Sequence, residues 1–228
     1  MHIAEGFLPP LHAAGWTLAA APFVVHGGRA VVRERRERPE TTLLLGAAGA
    51  FTFLLSAIKL PSITGSSSHP TGVGLGAILF RPPVMAFLST VVLFFQALLL
   101  AHGGITTLGA NVFSMGVAGP WTAYAVWCAL RRVNRAVGVF AAVALADLAT
   151  YAVTSAQLAL AFPDPGTGFA GALVKFLGVF AVTQVPLAVA EGLLAVLVLR
   201  LLGEVARPEL ERLGVLPGTA TVVAESAR

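Results

Sequence analysis

The stretch GFAGALVKFLGVFAVTQVPLAVAEGLLAVLVLRLL, residues 168–202, holds only three ionisable side chains, Lys175, Glu191 and Arg200. A helix needs about 20 apolar residues to cross the hydrocarbon core of a bilayer, and this run exceeds that. A helix that is apolar on every face is a buried or membrane element and not a surface one. Working back toward the N-terminus, comparable runs lie at 8–28, 41–60, 67–81, 83–103, 114–131 and 136–161. Seven spans follow, and the expected fold is all-α, a polytopic membrane helix bundle. The run at 67–81 is short and glycine-rich (Gly72, Gly74, Gly76) and is read as a half-helix packed inside protein, because irregular backbone at membrane depth is tolerated only there or along a cavity. Residues 103–115 are too polar for lipid and too apolar for a free loop, so they are expected to fold back into the bundle.

Composition agrees with this reading. Of the 228 residues 57% are hydrophobic and 11% charged, against roughly 25% charged in a soluble domain. The formal net charge of +4 would suggest nucleic acid in a soluble chain. Here the basic residues sit in loops, where they set topology. With seven spans, every arginine, from Arg29 through Arg81, Arg131 and Arg200 to Arg228, falls on one side. The other side receives only Lys59 and Lys175. That asymmetry predicts an outside N-terminus and a cytoplasmic C-terminus in a multi-pass protein of the cell membrane. Residues 1–202 form the membrane domain. Residues 203–228 form a cytoplasmic tail that starts as a short helix and loses order after Pro217. Residues 29–40 are read as a solvated charged loop. The single cysteine, Cys128, lies in an apolar run and is read as a buried small hydrophobe. The N-terminus lacks the basic region of a secretory signal. There is no phosphate-binding GxxxxGK[ST] loop and no internal repeat, and a serine–histidine hydrolase is disfavoured because no GxSxG elbow is present.

The chemistry gathers on the lysine side. A histidine at position 2 lets the Met1 amine, the His2 amide nitrogen and a His2 ring nitrogen close adjacent small chelate rings on one ion. Such a nitrogen array suits Ni(II) and Cu(II), with Co(II) possible, and disfavours alkaline-earth ions, which take oxygen. His69, in the stretch SITGSSSHPTG (62–72), falls on the same face and offers a fourth nitrogen. Ser66, Ser68 and Thr71 flank it. His102 and Asn111, in AHGGITTLGAN (101–111), are direct ligands or partners that orient ligands, and the second role is favoured. Within the spans, Asp147, Gln157, Gln184 and Glu191 are costly in lipid and mark function or interhelical bonds. Ligation requires neutral histidines, so binding is expected to fade below about pH 6.5.

Met1-His2-Ile3-Ala4-Glu5-Gly6-Phe7-Leu8-Pro9-Pro10 resembles the N-terminus of the CbiM/NikM family, as do residues 66–72, 97–111, 146–155, 157–165, 175–180 and 183–192. The resemblance covers about residues 1–202. It implies a substrate-binding S component of an energy-coupling-factor (ECF) transporter, a type of ABC importer and not itself an enzyme. It also implies about seven helices and metal ligation through Met1, His2 and His69. The implied cargo is cobalt (Co2+) for cobalamin biosynthesis, since Ala4-Glu5 resembles the cobalt members, with nickel as the alternative. The implied partners are a transmembrane T component, cytoplasmic ATPase subunits and the small membrane protein CbiN. A stand-alone proton-coupled carrier using Asp147 and Glu191 is the rival reading.

Overall fold

The computed structural model describes residues 1–61 and 66–217. In chain order these form β1 (His2–Ile3), α1 (Pro10–Glu37), a 3-10 turn (Pro39–Thr41), α2 (Thr42–Ala57), β2 (Leu60–Pro61), β3 (Ser66–Ser68) and α3 (Val73–Leu100). There follow α4 (Leu108–Asn111), a π turn (Val112–Ala118), α5 (Gly119–Leu130), α6 (Arg135–Ala161), α7 (Gly168–Val205) and α8 (Arg207–Arg212). The all-α membrane class expected from the sequence is what is found. Among the described residues four helical stretches are long and apolar enough to cross a membrane: Pro39–Ala57, Val73–Leu100, Arg135–Ala161 and Gly168–Val205. Their outward faces carry large apolar side chains such as Leu43 and Val182, 86% and 75% exposed, which suit lipid and not water.

The half-helix expected at 67–81 takes a more specific form. Residues 66–68 are a strand, and the helix starts at Val73. A straight helix of 28 residues would be about 42 Å long. Yet the rings of His69 and His102, at its two ends, lie 4.9 Å apart. The chain reverses at Arg81, whose φ of 69° and ψ of 159° break the helix just before Pro82 and Pro83. A Cβ on Gly76 would collide with Met85 Sδ, nine residues on, so the two arms pack side by side. Every residue of the short arm, 73–80, is buried. α3 is thus a hairpin of a half-length and a full-length arm.

Three expectations are corrected. Residues 29–37 continue α1 as helix, because arginine and glutamate are good helix formers and Glu34 pairs with Arg38 at 2.9 Å. Cys128 is exposed, since it sits on the outward face of α5. The fifth span begins at Leu108 and not at 114, with residues 101–107 forming the loop before it. At the far end α7 runs on to Val205 and α8 folds back, burying Leu210 and setting Arg212 3.5 Å from Glu40. The expected loss of order after Pro217 lies outside the described residues.

The bundle has two unlike ends. One carries β1, β2, β3, the loop at 101–107 and the turn between α6 and α7. The other gathers arginines, with Arg33, Arg38 and Arg81 lining one groove and Arg131, Arg132 and Arg135 another. Between them, glutamines bond across helices. Gln96 donates to Phe53 O at 3.0 Å and to Ser56 Oγ at 2.8 Å, tying α3 to α2. Gln157 donates to Ala110 O at 3.0 Å, tying α6 to α4. Such bonds are worth about 0.6 kcal/mol each in a membrane.

Candidate metal site

The N-terminus enters the bundle as an edge strand. β1 pairs antiparallel with β3 in the register His2 to Ser67 and Ile3 to Ser66, and β2 flanks β3 on its other side. Three side chains hold it. Asn111 accepts from Ile3 N at 2.8 Å and donates to Ile3 O at 3.0 Å, so its amide imitates one more strand. Thr107 Oγ1 donates to the same carbonyl at 2.9 Å. Glu5 accepts from Thr106 Oγ1 at 2.6 Å and from the backbone amide of Ile105. Met1, Ile3 and Leu8 then pack against Ala110, Leu158 and Phe180. The two glycines of the facing loop make room: a Cβ on Gly104 would overlap Glu5, and one on Gly103, whose φ is 77°, would press on the Asn111 amide at 3.1 Å.

Three histidines meet beside this strand. His2, His69 and His102 are all buried, and each offers a nitrogen within 4.8 Å of the others. His2 and His69 lie with centroids 4.2 Å apart and planes tilted by 38°, and His102 stands edge-on to both. His69 Nδ1 lies 2.8 Å from Pro70 O. A carbonyl only accepts, so the proton sits on Nδ1, and Nε2, which has no partner among the described residues, keeps its lone pair. His2 Nδ1 lies 3.1 Å from His102 Nε2, and Ser67 Oγ lies 2.8 Å from that same His102 nitrogen. Burial drives this electrostatics. It lowers the Met1 amine to about 6, against the opposing pull of Asp147 and Glu191. It pushes His2 and His69 well below the usual histidine range, helped for His2 by His69 and for His69 by the amine. His102 is lowered to about 4, by burial first and then by the amine and Lys59. At neutral pH the cluster is a set of uncharged nitrogen donors.

The remaining residues named from sequence take other places. Asn111 grips the Ile3 backbone and not a ring. Ser66 pairs with Ile3 through β3, and Ser68 Oγ bonds Thr183 Oγ1 of α7 at 2.8 Å. Thr71 and Glu191 belong together: Glu191 accepts from Thr71 N at 2.6 Å, Thr71 Oγ1 at 3.0 Å and Gly72 N at 2.8 Å. The carboxylate thereby sits at the entry to the short arm of α3, on the two amides that lead into Val73. Gln184 donates to Asp147 Oδ1 at 3.1 Å, while Asp147 Oδ2 has no partner among the described residues. Gln157 of α6 makes its bond away from the histidines, to the Ala110 carbonyl of α4. The site list drawn from sequence lacked Glu5, Ser67, Thr106 and Thr107. Their signal was the Gly103–Gly104 pair followed by two threonines, a spacing that lets backbone approach backbone.

A family model described as CbiM, cobalt uptake substrate-specific transmembrane region, matches residues 2–210. A cobalt transport protein CbiM of Streptomyces coelicolor is 69% identical over 95% of this chain and 94% of its own length. One from Propionibacterium freudenreichii is 60% identical over 96% and 94%. Two crystal structures of transition metal transporters superpose with TM-scores of 0.73 and 0.71 at 25% and 26% identity. Each covers 90% of this chain, over 93% and 99% of its own length respectively. With its apolar helices, the chain is accordingly a multi-pass membrane transport component and not an enzyme. The chain belongs to the CbiM family of cobalt uptake transmembrane proteins.

Proposed function

We propose that the chain is the substrate-binding S component of an ECF-type importer and that it captures cobalt(II) through the Met1 amine, the His2 amide and ring nitrogens, and His69. The observation that carries this reading is the burial of the N-terminus itself. Met1 and His2 are 0% and 1% exposed, and Asn111, Thr107 and Glu5 pin the strand that bears them. A terminal strand is usually frayed, and this one is held where its nitrogens meet His69. The histidine end faces outside, as the arginine distribution supports. A T component and cytoplasmic ATPase subunits, with CbiN, then drive release inward, supplying cobalt for cobalamin synthesis. Exposed small residues such as Gly15, Ala47 and Ala50 give the bundle a smooth face for sliding against the T component.

A stand-alone proton-coupled carrier is disfavoured by the use made of Glu191. Three donors occupy its oxygens and fix it to the α3 hairpin, which leaves a proton shuttle little freedom. Nickel remains the competing cargo, because four nitrogens in a plane suit Ni(II) as well.

The test is calorimetric titration of the purified chain with Co2+ and Ni2+, beside the same chain carrying one alanine inserted before Met1. The insertion displaces the amine from its chelate ring, and binding is expected to fall below detection. Unchanged affinity after insertion would remove Met1 from the ligand set.

A further inference from the structure

We propose that His102 is a fifth metal ligand, standing across the plane of the Met1, His2 and His69 nitrogens, and that this added donor favours cobalt(II) over nickel(II). The inference rests on the capture site proposed above and deepens it.

The geometry starts from the chelate. The ring that closes from the His2 amide nitrogen through Cα, Cβ and Cγ ends on Nδ1, so Nδ1 is the nitrogen His2 gives to the ion. That atom lies 3.1 Å from His102 Nε2. Two nitrogens bound at right angles to one ion, with bonds of about 2.1 Å, are about 3.0 Å apart. The two rings therefore stand at the spacing of neighbouring ligands, with a single shared proton in the gap that an ion would fill. Ser67 Oγ, 2.8 Å from the same His102 nitrogen, shows which ring edge is turned toward the pocket. His102 Nδ1 points elsewhere.

The backbone gives an independent sign. Ala101 has a φ of 46° and Gly103 a φ of 77°, so His102 sits between two left-handed residues. Alanine in that region costs on the order of 1 kcal/mol, and such strain gathers at functional positions. Here it ends α3 abruptly, with the His102 amide donating back to Gln96 O at 3.2 Å, and it swings the imidazole inward. A merely lipid-facing or loop residue would need no such turn.

The choice of metal follows from electron count. Nickel(II) in a plane of four strong nitrogen donors keeps a filled orbital along the axis, and a fifth donor there meets an electron pair. Cobalt(II), with one electron fewer, leaves that orbital half-filled and accepts an axial nitrogen. An axial imidazole thus adds stability to cobalt and little to nickel.

The full chain in detergent is titrated with Co2+ and Ni2+, before and after His102→Phe, and the cobalt-loaded unmodified chain is studied by X-ray absorption. Cobalt affinity is expected to fall at least ~10-fold in the variant while nickel changes less than ~3-fold. In the unmodified chain the absorption spectrum should show five donors including three imidazoles. A four-donor cobalt site with two imidazoles overturns the proposal whether or not the variant folds, and so does an equal loss of both ions. His69→Ala should abolish binding of both metals. If it retained them, the four-nitrogen plane itself would fall, a failure distinct from that of the fifth ligand.

Discussion

The two ends of this bundle are built on different principles. At the histidine end, side chains grip backbone: Asn111 holds Ile3, Glu5 holds 105–106, and Glu191 holds Thr71 and Gly72. At the arginine end, long side chains meet each other. Glu34 pairs with Arg38 and Arg207 with Glu211, each at 2.9 Å and each one helical turn apart. The first arrangement fixes atoms in place. The second fixes charge on one side of a membrane and leaves the individual contacts loose. A site that needs positional accuracy and a surface that needs only sign are solved separately within one chain.

The sharpest test of that contrast is Glu191→Ala. It strips the acceptor from two buried backbone amides and a hydroxyl, each costing about 1–3 kcal/mol when unpaired. Stability in detergent should drop by at least about 3 kcal/mol, read as a lowered thermal midpoint. A loss under about 1 kcal/mol would put the two ends on the same footing. Next comes Asn111→Ala, which frees the Ile3 backbone without touching a ligand. Metal affinity is expected to fall about 10–100-fold, and Gly104→Ala should act in the same direction through the overlap with Glu5. Equal affinities in all three chains would show that the strand holds its place without its clamps.

Acidity gives a subtler reading. Metal entry releases the His2 amide proton at any pH and the Met1 amine proton only where the amine is charged. Because burial lowers that amine to about 6, it is already neutral at pH 7. Apparent affinity should therefore rise about tenfold per pH unit above 6 and about a hundredfold per unit below it. The histidines, lowered further, join only in more acid solution, so the fading expected from ordinary histidines near 6.5 is moved down and assigned first to the amine. A break near pH 8 would mean a solvated terminus. The smallest effect belongs to the other end: Arg212→Ala should change stability by no more than about 1 kcal/mol.

The helix-bundle class was legible because lipid leaves a one-dimensional signal, length of apolar run. The α3 hairpin was only half legible. The sequence marks a short glycine-rich segment and the Arg81-Pro82-Pro83 break, but where residue 69 meets residue 102 depends on packing that no local pattern records. The same holds at the site. His2 and His69 stand out by chelation chemistry, whereas Glu5 and Thr107 act on backbone about a hundred residues away and Ser67 acts on the His102 ring, and beyond the Gly103–Gly104 pair nothing local announces it. The charged segment at 29–37 misled for the opposite reason, since charge predicts exposure and says nothing against helix.

Glu191 has one more effect. A helix presents roughly half a positive charge at its N-terminal end, and the short arm of α3 begins only four residues after His69. Left bare, that end would raise the electrostatic potential just where a doubly charged cation has to settle. The carboxylate laid across it reverses the sign, so the same group that fastens the hairpin makes the floor of the pocket hospitable to an incoming cation.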